Sequence, residues 1–255
     1  MIDSKNKAEF FQYINQDKII YFSFINELQS NFQKTQFWMV KTKNQILGCK
    51  FHTGISVQMI GTNESIEYFF KNLLDTPKFI GITFPTKKIA EKYIKTQAKK
   101  FELHRLFMRK TELTQKQNYT INILQKKDLK AALDVFRVVE PENWSDQSSA
   151  NLKYDSENHW YGIEKDGIYV SVCWNQIFEH GGHIAFIATR PEYQNRGMAT
   201  ELINFALIRN FQKNTLSIIH VSAENISAYN LYKKMGYSLG FTLSTYIEPV
   251  LELHN

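Results

Sequence analysis

The chain has 255 residues, 43% of them hydrophobic and 22% charged, with 19 Phe and 13 Tyr, which supplies one large core or two of ordinary size and excludes a disordered chain. No apolar run approaches the ~20 residues of a membrane-spanning helix, and Met1-Ile2-Asp3-Ser4-Lys5-Asn6 lacks the apolar stretch of a signal peptide, so a cytoplasmic protein without a membrane partner is expected. The net charge is +6, but residues 1–117 hold 19 Lys and Arg against 10 Asp and Glu, whereas residues 118–255 hold 12 against 15; an anionic partner drawn by charge alone would meet the first half.

In chain order, Ile19–Leu28 has helical apolar spacing. Phe37–Val40 and Gln45–Phe51 read as a hairpin around Lys43-Asn44. Ile55–Ile60 is a strand, Glu64–Leu74 a helix, Lys78–Phe84 a strand, Lys87–Lys99 a helix and Phe101–Arg109 a strand. On the helix expected at Lys87–Lys99, Lys88, Lys92, Lys95 and Lys99 share one face, read as a solvated face. Nucleic-acid binding would also need aromatic stacking positions or a recognisable module, and neither is present, so nucleic acid is not an expected partner. Cys49 and Cys173 stand far apart and read as buried free thiols, not as a disulfide or a metal site.

The polar stretch Thr111–Asn118 marks a boundary, giving expected domains 1–115 and 116–255. Tyr119–Leu124 alternates like a half-buried strand. Lys127–Val138 is a helix ended by Pro141, and Glu142–Asp155 is a polar loop or short helix containing Trp144. Trp160–Glu164 and Ile168–Gln176 flank Lys165-Asp166-Gly167, a hairpin turn signal. His183–Thr189 is an apolar strand, Gly197–Phe211 a helix with Leu202, Ile203, Ala206 and Leu207 inward, Leu216–Val221 a buried strand and Asn225–Met235 a helix stopped by Gly236. Tyr237 and Thr242–Ile247 supply final strands. The first half repeats much of this order without repeating its sequence.

The chemistry-bearing segment runs from Ile187, Ala188 and Thr189 through Arg190, Pro191 and Tyr193 to Gln194, Asn195, Arg196, Gly197, Met198, Ala199 and Thr200. A strand ends, a short loop follows and a helix begins. The first-turn N–H groups of a helix have no intrahelical acceptor and the helix dipole favours an anion there, so a diphosphate fits such a place.

The run Gln194-Asn195-Arg196-Gly197-Met198-Ala199 resembles the Q/R-x-x-G-x-G/A motif of the GNAT acetyltransferase superfamily, with Ala199 where glycine is commoner. The segment Asn225-Ile226-Ser227-Ala228-Tyr229-Asn230-Leu231-Tyr232-Lys233-Lys234-Met235-Gly236-Tyr237 resembles that family's N-x-x-A-x-x-x-Y-x-x-x-G-F/Y motif. The likeness covers about the last 140 residues. It implies an α/β (mixed α+β) fold, with a central mixed, mostly antiparallel sheet flanked by helices. The similar order of elements in residues 1–115 suggests a degenerate copy of the same domain in tandem, without a phosphate-binding motif near Gly61-Thr62-Asn63.

The resemblance implies acetyl-CoA as co-substrate and a small-molecule, amino-acid or peptide amine as acceptor, with no metal and with a monomer or homodimer equally compatible. It assigns the diphosphate to the backbone of Asn195–Thr200 and the pantetheine arm to the edge of Ile187–Thr189. Asn225, with Ala228 and Tyr229 on the same helix, joins the cofactor set; as the first residue of that helix Asn225 also reads as its N-cap. Tyr232 stands where the family has a tyrosine that protonates the leaving thiolate; its alternative role is core packing. The family often has a glutamate five positions before the asparagine, and here His220 stands there, as a general base or as a structural histidine. His183 is a second candidate base. His180 and His183 flank Gly181-Gly182 but lack the further ligands a metal needs. A different class of function, an acyl-CoA-binding sensor without turnover, shares every cofactor residue and differs in Tyr232 and the base.

Overall fold

A computed structural model describes residues 2–247 except 5, 31–33, 44, 55, 74–76, 84–85, 96–97, 114–117, 142–143 and 145–151. Most of the expected loop Glu142–Asp155, part of the expected boundary Thr111–Asn118, and the ends expected at Ile55, Leu74 and Phe84 therefore lie outside the described residues. By packing, the chain forms two compact units. The first takes the chain up to Leu106, Val221–Tyr229 and the segment from Leu239; the second takes Phe107–His220 and Asn230–Ser238.

The first unit contains β1 (Ile2–Ser4), α1 (Lys7–Ile14), α2 (Phe22–Ser30), β2 (Thr35–Lys41), β3 (Ile46–Thr53), β4 (Ser56–Gly61), α3 (Asn63–Lys71), β5 (Phe79–Thr83), α4 (Lys87–Ala90) and most of β6 (Lys99–Arg109). Nearly all of β12 (Ser238–Ile247) belongs to it as well. Its strands are ordered β1-β2-β3-β4-β5-β12-β6. Neighbours from β1 to β4 are antiparallel, β4 and β5 are parallel, and β12 returns antiparallel to β5. Period-2 alternation gives each strand two faces. Met39, Cys49, Phe51 and Ile60 meet Phe10, Phe24 and Ile25 of α1 and α2. Val40, Val57, Met59, Ile80 and Ile82 meet Ile66, Phe69 and Phe70 of α3 with Ala90, Tyr93 and Ile94.

Three elements differ from the sequence reading, each because of an identifiable set of bonds. The helix α2 begins at Phe22 instead of Ile19, because the Asp17 carboxylate accepts from the N–H groups of Ile19 and Ile20 while the buried Arg105 guanidinium takes both their carbonyls. Burial lowers the Arg105 pKa to about 9. The helix expected over Lys87–Lys99 ends at Ala90, continues as turns through Tyr93, and gives way to β6 at Lys99. The strand claims Lys99 and Lys100, and the latter bonds Glu91 at 2.7 Å. Long-range pairing thus outweighs helical spacing, and Lys88, Lys92, Lys95 and Lys99 do not share a helix face. The strand expected at Tyr119–Leu124 shrinks to β7 (Asn122–Ile123). The N–H groups of Asn118 and Tyr119 instead donate to the Glu201 carboxylate, which removes them from any ladder.

The second unit holds β7, α5 (Leu129–Val139), β8 (Asn158–Lys165), β9 (Ile168–Phe178), β10 (Gly181–Thr189), α6 (Met198–Lys213) and β11 (Leu216–Ser222) as far as His220, in strand order β11-β10-β9-β8-β7. All neighbours are antiparallel except β10 and β11, which are parallel. Asp166 and Gly167 both take positive φ, 52° and 78°, as a tight two-residue hairpin requires. The helix α5 turns Ala132, Val135 and Phe136 onto Trp160, Val172 and Ala188. On α6, Leu202, Ile203, Ala206 and Leu207 are buried. A side chain on Gly182 would run into Asn210 of α6, so glycine lets helix and strand close up.

Candidate active site

The parallel ladder between β10 and β11 covers Gly182–Ile184 against Ser217–Ile219 and goes no further. At that point β10 bulges: Ile184 opposes Asn175 of β9 and Phe186 opposes Trp174, leaving Ala185 as the extra residue. A bulge bends and twists its strand. Beyond the bulge, Phe186–Thr189 remain paired to β9, and none of the five residues Ala185–Thr189 pairs with β11. Backbone donors and acceptors on that edge are placed for an extended amide chain. Ile187 is half-buried, and Ala188 and Thr189 are buried.

The edge leads directly into the phosphate loop. Arg190 ties the loop to β9, its N–H donating to Val170 O (2.8 Å) and its Nε to Tyr169 O (3.0 Å). Gln194 Nε2 donates to Thr189 O (3.0 Å), and Tyr119 Oη donates to Arg196 O (2.8 Å). Asn195 and Gly197 have φ of 60° and 83°. Alternating left-handed residues before a helix turn successive N–H groups toward one concavity, an anion nest. Gly197 is the N-cap of α6 and offers no side chain to its N–H groups; the first intrahelical bond runs from Glu201 N–H to Gly197 O. The N–H groups of Met198, Ala199 and Thr200 are therefore presented to a ligand, and beyond its chain neighbours no described residue lies within 4 Å of where a Gly197 Cβ would stand. Gln194, Asn195, Arg196 and Gly197 are exposed, Met198 is buried, and Ala199 and Thr200 are half-buried. The donor set fits a diphosphate.

Beside the end of the β10–β11 ladder stand two histidines. His220 follows the last paired residue of β11, and its Nδ1 lies 3.1 Å from Nε2 of His183, which pairs with Ile218 one register earlier. Nδ1 of His183 lies 2.9 Å from Gln176 Oε1. Gln176 Nε2 donates to Asn158 Oδ1 (3.0 Å), which also accepts from Trp174 Nε1 (2.9 Å). Asn158 Nδ2 donates to Asp155 Oδ1 (2.7 Å). Partial burial pushes the Asp155 pKa up, but bonds from the Asn158 side chain and from the N–H groups of Glu157 and Asn158 outweigh it and hold the carboxyl below its ordinary range.

Tyr232 lies on α7 (Ile226–Lys234), buried, with its ring 6.1 Å from that of Tyr237. Burial pushes its phenol well above the ordinary value, and the Glu140 carboxylate adds to the effect; the hydroxyl is protonated at neutral pH. Cys173 itself is a buried free thiol, raised by burial. Asn225, Ala228 and Tyr229 pack with the first unit. There Asn225 Oδ1 caps the helix by accepting from Ala228 N–H (3.1 Å), and the Tyr229 ring lies 5.4 Å from His104. Among the described residues, no helix is long and apolar enough to cross a membrane, and no three His, Cys, Asp or Glu gather as a metal site.

Asp155, Asn158, Trp174 and Gln176 escape a reading of the sequence. They converge only through strand register, because Asn158 opposes Gln176 and Gln176 opposes His183. A signal exists in the alternation of Asn158 with Trp160 and of Trp174 with Gln176, but nothing in a linear sequence says which strands adjoin.

A bulged strand whose edge is not paired to β11 thus leads into a glycine-capped helix N-terminus. Residues 129–237 match the profile of the acetyltransferase (GNAT) family. Solved structures similar to nearly the whole chain include an acetyltransferase of the GNAT family from Colwellia psychrerythraea (12% identity, TM-score 0.57, covering 97% of this chain and 100% of that one). Another is a GCN5-related N-acetyltransferase from Kribbella flavida (12%, 0.59, 88% and 93%). A third is a tandem GNAT protein from the clavulanic acid biosynthesis pathway (9%, 0.56, 96% and 96%). At these identities the likeness is one of fold, and it extends to the first half, which is also GNAT-like. No curated protein sequence matches the chain.

Proposed function

We propose that the chain is an N-acetyltransferase that moves an acetyl group from acetyl-CoA to a primary amine of a small molecule, amino acid or peptide. The observation that carries this reading is the continuity of the free β10 edge with the αL Gly197 loop, two features that suit an amide-bearing arm followed by a diphosphate. Backbone from Asn195 to Thr200 holds the diphosphate, with Gln194 bracing the loop through Thr189 O. Ile187, Ala188 and Thr189 pair with the pantetheine arm, and an N–H near Ile187 or Ala188 polarises the thioester carbonyl. The roles of Asn225, Ala228 and Tyr229 toward the arm rest on the sequence motif alone.

The neutral amine attacks the carbonyl carbon and forms the C–N bond. Its proton goes to Nε2 of His220 directly or through one water, the C–S bond breaks, and the thiolate takes the Tyr232 proton to leave as free thiol. A phenol whose pKa is raised by burial gives up its proton only to a strong base, and a thiolate released among apolar groups is such a base. Amine-dependent thiol release from acetyl-CoA across a panel of primary amines tests the reading. Coenzyme A binding with no release on any amine would leave an acyl-CoA sensor, and no binding would remove the site altogether.

A further inference from the structure

We propose that His183 is a positioning residue, the last link of a cross-strand hydrogen-bond relay that holds neutral His220 as the Nδ1–H tautomer with the lone pair on Nε2. The proposal deepens the reading of His220 as the base and rests on it.

The direction of each bond follows from groups that can act in only one sense. The Trp174 indole N–H is a donor only, so the Asn158 atom 2.9 Å from it is oxygen. The ionised Asp155 carboxylate is an acceptor only, so the other end of the Asn158 amide, 2.7 Å away, is the NH2. Both constraints fix the same amide orientation. The Asn158 oxygen also faces Gln176, which must therefore present its NH2 there and its oxygen to His183. His183 Nδ1 must then carry a proton. In a neutral imidazole its Nε2 is an acceptor, so the proton between the rings belongs to Nδ1 of His220. Neutral His220 is left with its lone pair on Nε2.

Strand register makes this possible. Asn158, Gln176 and His183 are directly opposed residues of β8, β9 and β10, and opposed side chains stand about 4.5–5.5 Å apart at Cβ. The relay starts at a carboxylate and an indole and ends at the residue where β10 and β11 part. A proton accepted at Nε2 of His220 lets Nδ1–H pass its own proton to His183, so the charge can spread over two rings.

The test is two-bond 1H–15N correlation spectroscopy on the 15N-histidine-labelled full chain, without ligand, above the pH at which both rings are neutral. The expected spectrum shows a protonated Nδ1 and an unprotonated Nε2 for His183 and for His220. Gln176→Met removes the acceptor while keeping length, and should move the His220 proton to Nε2; Gln176→Glu keeps an acceptor and should retain the Nδ1–H pattern. A parent spectrum with His220 protonated at Nε2 overturns the proposal, and it needs no variant to fold. An unchanged His220 tautomer in folded Gln176→Met overturns it too. Failure of the base reading is seen separately, as normal turnover in His220→Gln.

Discussion

Replacing Gly197 tests the cofactor site with the fewest assumptions. Its φ and ψ are 83° and −2°, a left-handed conformation, which costs an L-residue about 1–2 kcal/mol. Beyond its chain neighbours, no described residue lies within 4 Å of the added Cβ, so this strain is the main expected cost to the fold in Gly197→Ala. For a unit of this size it lowers Tm by about 2–8 °C. Gly197→Glu carries the same strain and adds a carboxylate at the mouth of the nest. A carboxylate about 4 Å from one phosphate charge is repelled by roughly 1 kcal/mol in water and roughly 4 kcal/mol at an effective dielectric of 20. At about 1.4 kcal/mol per factor of ten, the Kd for coenzyme A should rise roughly 5- to 700-fold beyond that of Gly197→Ala. Calorimetry with coenzyme A, and melting curves on the same preparations, separate the two effects. A Gly197→Glu protein that binds coenzyme A as tightly as the parent would refute the reasoning, because no diphosphate could then lie against the α6 N-terminus.

Three further outcomes are expected. Tyr232→Phe keeps the buried ring and loses only the proton donor, so kcat should fall about 10²–10⁴-fold with little change in acetyl-CoA affinity; unchanged single-turnover rates would reject the role. In the parent, kcat/KM should rise with pH as an imidazole loses its proton and then level. His220→Gln should abolish that limb and His220→Glu should restore part of the rate, whereas a purely structural histidine would give both variants a lower Tm and the parental profile. Calorimetric titration should give one coenzyme A per chain, a value that Thr62→Gly in the first unit leaves unchanged; two sites per chain would overturn the reading of that unit as a degenerate copy.

The sequence made the loop and the helix α6 legible because both are local. A strand end, a glycine at the cap and apolar residues at Leu202, Ile203, Ala206 and Leu207 all fall within one window of the chain. The helix α1 was readable in principle, from Asn6 at its cap and Phe10 and Ile14 one turn apart, yet its polar first turn hides it. What stayed illegible depends on distant partners. Lys99 leaves a helical pattern for β6, Asn118 and Tyr119 leave a strand pattern for Glu201, and the bulge at Ala185 carries no mark in its own side chain. The histidine pair shows the limit best. His183 and His220 could each be named as a base from the sequence, but their contact needs β10 and β11 to be parallel neighbours in one particular register.

The first unit shows which parts of such a fold the proposed chemistry uses. Its β4, α3 and β5 repeat the order of β10, α6 and β11, and its core is as full, with Val57, Met59, Ile80 and Ile82 all buried. Yet β3 and β4 pair from Gly48 to Thr53 without a register shift, so β4 lacks the bulge that parts β10 from its neighbour. Its parallel ladder with β5 runs over Ser56–Met59, leaving two residues, Ile60 and Gly61, beyond it, where β10 leaves five. The turn into α3 is closed as well. Thr62 caps the helix with its own hydroxyl, which accepts from Ser65 N–H at 3.3 Å, a place that Gly197 in α6 leaves to a ligand. Ser65 donates to Leu47 O (3.1 Å) and Thr62 O (2.9 Å), and a Cβ on either Gly48 or Gly61 would strike it. A helix N-terminus that satisfies its own donors gains stability and gives up its use as an anion site. Among the described residues, the two units thus differ less in fold than in how β4 and β10 leave their parallel partners and how the following helix is capped: by the Thr62 hydroxyl in the first unit, by a glycine without a side-chain cap in the second.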